Sequence, residues 1–183
     1  PLWTGFDVAQ SAMQFVELKA WIPRFNINYH LGVDGISMLF VVLNSFITII
    51  VVLAGWEVIQ QKVAQYNAAF LIMSGLMNGI FTSLDGILFY VFFEASLIPM
   101  YLIIGVWGGP NRVYAAFKFF LYTLFGSLLF LLALMYLFIQ SGGSFSILEW
   151  HKLPIALGAQ IWLFLAFLIA FAVKVPMWPV HTW

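Results

Sequence analysis

From residue 36 onward the chain alternates between long apolar runs and short polar links. A helix needs about 20 apolar residues to cross the hydrocarbon core of a bilayer. Five stretches reach that length or nearly so, at 36–55, 67–84, 87–107, 113–139 and 159–183. The links between them are WEVIQQKVAQY, DG, GGPN and the longer SGGSFSILEWHKLP. Links this short make successive helices antiparallel neighbours. The pattern therefore predicts an all-α polytopic membrane protein, an antiparallel transmembrane bundle. Open strands are not expected within it, because lipid offers unpaired backbone groups no partners.

The first 35 residues break this rhythm. They scatter Asp7, Glu17, Lys19, Arg24, His30 and Asp34 among Trp and Phe, with no run long enough to span. Residues 1–35 are accordingly expected to form an extramembrane or interfacial segment, and 36–183 the bundle. GVDG at 32–35 supplies a turn, with Asp34 placed to accept backbone bonds at the start of the first helix.

Composition turns the pattern into an environment. The chain is 64% hydrophobic and 8% charged, with a mean hydropathy of +1.03, whereas soluble domains lie nearer half apolar and a quarter charged. Lipid is therefore the expected solvent, and the protein multi-pass. A formal net charge of zero without basic clusters argues against nucleic acid as a partner, and the absence of cysteine removes thiolate metal sites, iron–sulfur ligation and disulfides. The start at Pro1 and the still-apolar end at VHTW suggest part of a longer chain. Orientation is close to a tie, with Lys19, Arg24 and Lys152 on one side and Lys62 and Arg112, with Lys118 just inside, on the other. The connection around Arg112 carries no acidic residue, which inclines that side towards the cytoplasm.

Three ionisable residues fall inside the apolar runs: Glu94, Lys118 and Lys174. Such a group at the bilayer centre costs about 2.5–3.5 kcal/mol on insertion scales, and usually faces a protein interior or a hydrated cavity. Glu94 lies near the middle of the third run, where a short carboxylate reaches neither surface. Tyr90, Ile98 and Tyr101 share its helical face, so two hydroxyls are at hand. Pro99 lacks an N–H and leaves the Ala95 carbonyl without its helical partner. A polar pocket at mid-depth is the expected result.

Lys118 stands about a turn and a half into the fourth run, flanked by Tyr114 and Tyr122, and its stem is long enough to snorkel. Counted from the GGPN turn, Glu94 lies deeper by roughly 9 Å at the helical rise, so a water bridge suits this pair better than direct contact. Lys174 lies past the centre of the last run if the helix starts at Ile161, and near the far interface if it starts at Leu153. Pro176 and Pro179 are expected to free the carbonyls of Ala172 and Val175 around the ammonium. A helix so broken must line a hydrated cavity. His181 follows on the same helical face, an imidazole able to pass a proton. If Glu94 and Lys174 approach, they titrate as one coupled system. Proton relay is the chemistry these residues suggest.

The runs GVDGISMLF (32–40), FYVFFEASLIPMYLIIGVWGGPNRVYAAFKFFLYTLFGS (89–127) and FAVKVPMWPVHTW (171–183) resemble the chain M family of proton-pumping NADH:quinone oxidoreductase, respiratory complex I, whose mitochondrial counterpart is subunit 4. The resemblance covers most of the chain from residue 30. It implies an antiporter-like fold built on inverted five-helix repeats, of which this chain would hold one half. It also implies that Glu94 and Lys174 form the ion pair of a half-channel, with Lys118 and His181 as further relay residues. The partners implied are the other membrane-arm subunits, the lipid bilayer and protons, in a bacterial inner membrane. NADH, FMN, iron–sulfur clusters and quinone would belong to partner subunits, with no cofactor or metal in this chain. A multi-subunit cation/proton antiporter or an energy-converting hydrogenase is the nearest alternative, and a purely structural membrane component a second.

Overall fold

The computed structural model describes residues 2–182, with side chains from residue 4 onward. A short helix α1 (Leu2–Gly5) precedes a hairpin of strands β1 (Gln14–Ile22) and β2 (Ile27–Val33). Six longer helices follow: α2 (Gly35–Val58), α3 (Val63–Thr82), α4 (Gly86–Ala95), α5 (Leu97–Trp107), α6 (Arg112–Gln140) and α8 (Leu157–Lys174). A single turn, α7 (Ile147–Trp150), lies between the last two. The molecule is thus mostly helical.

The helical segments Gly35–Val58, Gly86–Trp107, Arg112–Gln140 and Leu157–Lys174 are long and apolar enough to cross a membrane. Five spans were expected. Helix α3 has the length, but Gln65, Asn67, Ser74 and Asn78 dilute its apolar character. Ser74 and Asn78 face α2 instead of lipid. Asn44 of α2 donates through Nδ2 to the Ser74 carbonyl at 2.9 Å and to Asn78 Oδ1 at 2.8 Å, and Thr48 Oγ1 donates to Ser74 Oγ at 2.8 Å. Outward faces carry large apolar groups, such as Phe125, 72% exposed, and Trp162, 74% exposed. Water would oppose that exposure and acyl chains would not. The interior is aromatic: Phe130 of α6 packs edge-on against Phe89 of α4 and Phe167 of α8.

The hairpin departs from an all-helical chain. Its first strand is exposed along nearly its whole length, so water can satisfy its outer edge. The second strand is tied to the bundle. Leu84 N–H donates to the His30 carbonyl at 2.9 Å, and Asn26 Nδ2 donates to the Gly143 carbonyl at 2.8 Å. Asp34 caps α2, accepting from the Ile36 and Ser37 N–H groups, while Ser37 Oγ accepts from Asp34 N–H. These bonds, chiefly that from Ser37 N–H, hold the Asp34 carboxyl below the usual range.

Asp85 performs the same task for α4 in a buried setting. Only 1% exposed, it accepts from Ile87 and Leu88 N–H through one oxygen and from Asn28 N–H of β2, at 3.0 Å, through the other. Burial pushes its carboxyl up, and the bonds from Asn28, Leu88 and Ile87 offset part of that shift. Gly86 follows because a β-carbon there would overlap the Trp150 ring.

Candidate functional site

The third span is interrupted. Helix α4 ends at Ala95 and α5 begins at Leu97, with Ser96 between them. Pro99 explains the position: it offers the Ala95 carbonyl no N–H, yet it is well tolerated within the first turn of a new helix. One residue before the break's last helical position stands Glu94. The interruption also separates the residues expected to share a stripe with it. Tyr90 stays one turn before Glu94 on α4. Tyr101, on α5, packs edge-on against Phe117 and Phe120 of α6 at 5.8 and 5.9 Å, and Ile98 is 62% exposed.

Glu94 is half-buried, and its Oε1 is fully enclosed without a hydrogen-bond partner among the described residues. Ser127 of α6, 1% exposed, is the polar side chain beside both Glu94 and Tyr90. Its hydroxyl also donates to the Leu124 carbonyl at 2.8 Å.

Helix α8 begins at Leu157, between the two starts considered from the sequence, and ends at Lys174 itself. The lysine therefore caps the negative end of the helix dipole. Its Nζ donates to the Phe93 carbonyl at 3.0 Å and to Ser96 Oγ at 2.9 Å, and lies 4.0 Å from the centre of the Phe93 ring. These contacts fix its depth at the middle of the third span, away from either interface. Among the described residues the ion pair within 4.0 Å is Lys19–Glu17 on the hairpin surface. Glu94 and Lys174 are neighbours without being bonded to each other. A cavity of about 400 Å³ adjoins the ammonium, lined by Met73, Met77, Phe93, Ser96 and Met100. It has room for roughly ten waters at liquid density, although its walls are more apolar than a wet passage was expected to be.

The end of α8 and the surroundings of Lys118 differ from what residue spacing implies. The Ala172 carbonyl is not freed by Pro176, because Met177 N–H bonds it at 2.8 Å. Pro179 lies beyond the helix end and so frees no helical carbonyl at Val175. His181 is exposed and no longer shares a helical face with Lys174, since α8 has already stopped. Lys118 lies between the rings of Tyr114 and Tyr122, at 5.8 and 5.7 Å. Tyr114 is 69% exposed, so the pair turns outward on α6, not into the Glu94 pocket. The structure thus gathers Glu94, Lys174, Tyr90 and the Pro99 break, and leaves Lys118, Tyr122, Tyr101 and His181 outside. Ser96, Ser127 and the Phe93 carbonyl join the site without having been singled out. Ser96 carried a signal, two residues after the carboxylate and three before the proline.

Comparison with known proteins bears on this geometry. A family described as NADH:quinone oxidoreductase/Mrp antiporter, TM, matches residues 83–183, and one described as NADH-ubiquinone oxidoreductase chain 4, amino terminus, matches residues 3–83. The chain is 49% identical to NADH-quinone oxidoreductase subunit M of Rhodobacter capsulatus, over 100% of this chain and 37% of the relative. It is 48% identical to NADH-ubiquinone oxidoreductase chain 4 of Arabidopsis thaliana, again over 100% of this chain and 37% of the relative. It therefore spans little more than a third of the length of these proteins. Respiratory complex I from Thermus thermophilus with bound NADH contains a chain that matches at a TM-score of 0.80 and 35% identity, over 92% of this chain and 35% of that one. The Mrp complex from Dietzia sp. DQ12-45-1b matches at a TM-score of 0.85 and 19% identity, over 96% and 20%, a likeness of fold alone.

Proposed function

The chain belongs to the NADH:quinone oxidoreductase/Mrp antiporter membrane family, and from that premise we propose that it forms a proton-translocating portion of a membrane-arm subunit of NADH:quinone oxidoreductase, with Glu94 and Lys174 as its proton-handling pair. The observation that carries this reading is the meeting of Lys174 with the break in the third span, at mid-depth and within one turn of Glu94. A cation and a carboxyl held so close in a low-dielectric interior each respond to the other's charge. Adding a proton to Glu94 weakens its pull on the ammonium, and removing it restores that pull. Oε1, enclosed and undonated, is an atom ready to receive a proton or a water.

Lys118 and His181 enter the proposal as outer stations, reached through water from the central pair. Tyr90 supports the carboxyl from the preceding turn, and Ser127 from α6. The redox chemistry would take place in partner subunits carrying NADH, FMN, iron–sulfur clusters and quinone. This chain would contribute charge movement within the bilayer of a bacterial inner membrane. Its driving force would arrive from those subunits.

Replacing Glu94 by Gln in the intact complex tests the reading, since the amide keeps the shape and abolishes proton exchange. Proton pumping per NADH oxidised in membrane vesicles should fall by about a hundredfold, the low end of what a lost proton-transfer partner costs, with assembly retained. Undiminished pumping would favour a structural role. Sodium-dependent transport independent of NADH would favour the cation/proton antiporter reading instead.

A further inference from the structure

Ser96 and the Phe93 carbonyl do more than mark a helix break. The Lys174 ammonium donates to both, and Ser96 Oγ also donates its own proton to the Phe93 carbonyl at 2.7 Å. The three form a closed triangle in which Ser96 accepts from the lysine and passes polarisation to the carbonyl that the lysine shares. The Phe93 ring completes the enclosure with its face towards the cation. None of these partners carries a charge. Ser96 itself is buried, and so is Phe93.

We propose that Ser96 is a positioning residue: with the Phe93 carbonyl it forms an uncharged dock that holds the Lys174 ammonium while Glu94 changes its protonation. The inference rests on the reading of Glu94 and Lys174 as the proton-handling pair. Its physical content is that an ammonium bonded only to a carboxylate loses its stabilisation when that carboxylate takes a proton. An ammonium with a neutral dock next to the carboxylate keeps its hydrogen bonds and its charge, so the two groups can change protonation separately. Beside the break at Pro99, the dock flanks the carboxyl on the same span, with Phe93 one residue before Glu94 and Ser96 two residues after it. Glu94 on α4 is the group facing the lysine that can change its charge. Among the described residues around the same cavity, α3 presents Met73 and Met77, α5 Met100 and α6 Phe119.

The test uses the intact oxidoreductase carrying Ser96→Ala, Ser96→Thr or Glu94→Gln, with NADH-driven proton pumping followed across pH. Ser96→Ala removes one acceptor from the charged amine, so the alkaline limb of the pumping profile should move to lower pH by about one unit, the worth of a modest charged hydrogen bond. Ser96→Thr keeps the hydroxyl and should restore the wild-type profile. If Ser96→Ala does not assemble, Ser96→Cys carries the same test, since the thiol keeps the shape and accepts weakly. A profile unmoved by Ser96→Ala or Ser96→Cys, or moved equally by Ser96→Thr, overturns the dock. Loss of pumping in Glu94→Gln alongside an unmoved Ser96→Ala profile rejects the dock alone, whereas normal pumping in Glu94→Gln rejects the proton-handling pair beneath it.

Discussion

The Nζ of Lys174 donates to the carbonyl of Phe93 at 3.0 Å, so an amine at the end of one helix is bonded to the backbone immediately before the carboxylate of another. With the bond to Ser96 Oγ it sets the depth of the lysine beside Glu94. It also explains why α8 can stop where it does. A helix C-terminus within lipid needs its last turn compensated, and a cation at that end supplies compensation through the dipole.

Lys174→Met should separate folding from transport. Methionine fills a similar length, suits a cavity already lined by three methionines, and removes a charge whose insertion costs about 2.5–3.5 kcal/mol. The complex should assemble with thermal stability close to the wild type, because the saved cost of burying the charge offsets the lost compensation of the α8 C-terminus, while proton pumping is lost. Retained pumping would show that the amine is dispensable.

Pro99→Ala should mend the third span. The new N–H can reach the Ala95 carbonyl, joining α4 to α5 and gaining up to about 3 kcal/mol of helix stability. The same repair straightens the segment that presents the Phe93 carbonyl and Ser96 Oγ to Lys174. A rise in the melting temperature of the complex together with a several-fold fall in pumping is expected. A rise without the fall would mean that the break is incidental to transport.

Asn44→Leu addresses the α2–α3 pair. The amide makes hydrogen bonds to the Ser74 carbonyl and to Asn78 Oδ1, and such contacts between membrane helices average about 0.6 kcal/mol with an upper value near 1.7. Unfolding in detergent should report a loss within that range and unchanged pumping. Loss of transport from a stably assembled variant would move this cluster into the functional site.

Asp85→Asn tests the buried cap of α4. The native carboxyl titrates above its unfolded counterpart, so the unfolded chain is the first to release its proton as pH rises. Native stability is accordingly reduced above the raised value and recovers as pH falls through it towards the ordinary carboxylate range. The asparagine variant should lack that pH slope. It should also be less stable near neutrality by about 1–3 kcal/mol, because its amide nitrogen would face the Asn28 N–H, donor against donor. Parallel stability–pH curves for the two proteins would refute this account of Asp85.

Much of the bundle was legible because lipid enforces simple rules. Length and apolarity placed α2 and α6 within a few residues, and GVDG announced the Asp34 cap. Glu94 and Lys174 were legible as charges out of place. What the sequence could not show was how local geometry redistributes the neighbours of such charges. Pro99 was read as loosening a continuous helix, but it divides the span at Ser96 and so sends Tyr101 to α6. Pro176 was read as opening α8 internally, but the helix ends two residues earlier, and His181 loses the face that spacing had given it. The hairpin was illegible for a different reason. Strand β1 alternates weakly, since both of its faces are exposed, and its partner is fixed by bonds to residues 83–85 and 143, far away in sequence.

Those same bonds have a mechanical consequence. The hairpin, the Ser83–Asp85 turn and the 143–146 segment are stitched together by Asn26, Asn28, His30 and Asp85, and Gly86 N–H reaches the Phe145 carbonyl at 2.8 Å. Helices α2, α3, α4 and α6 all have one end in this plate, so on that leaflet they tilt together or not at all. At the opposite leaflet the Trp107–Gln61 bond joins two of the turns, and α8 stops short at mid-depth. The four helices are therefore held to one another more tightly at that end than at the other.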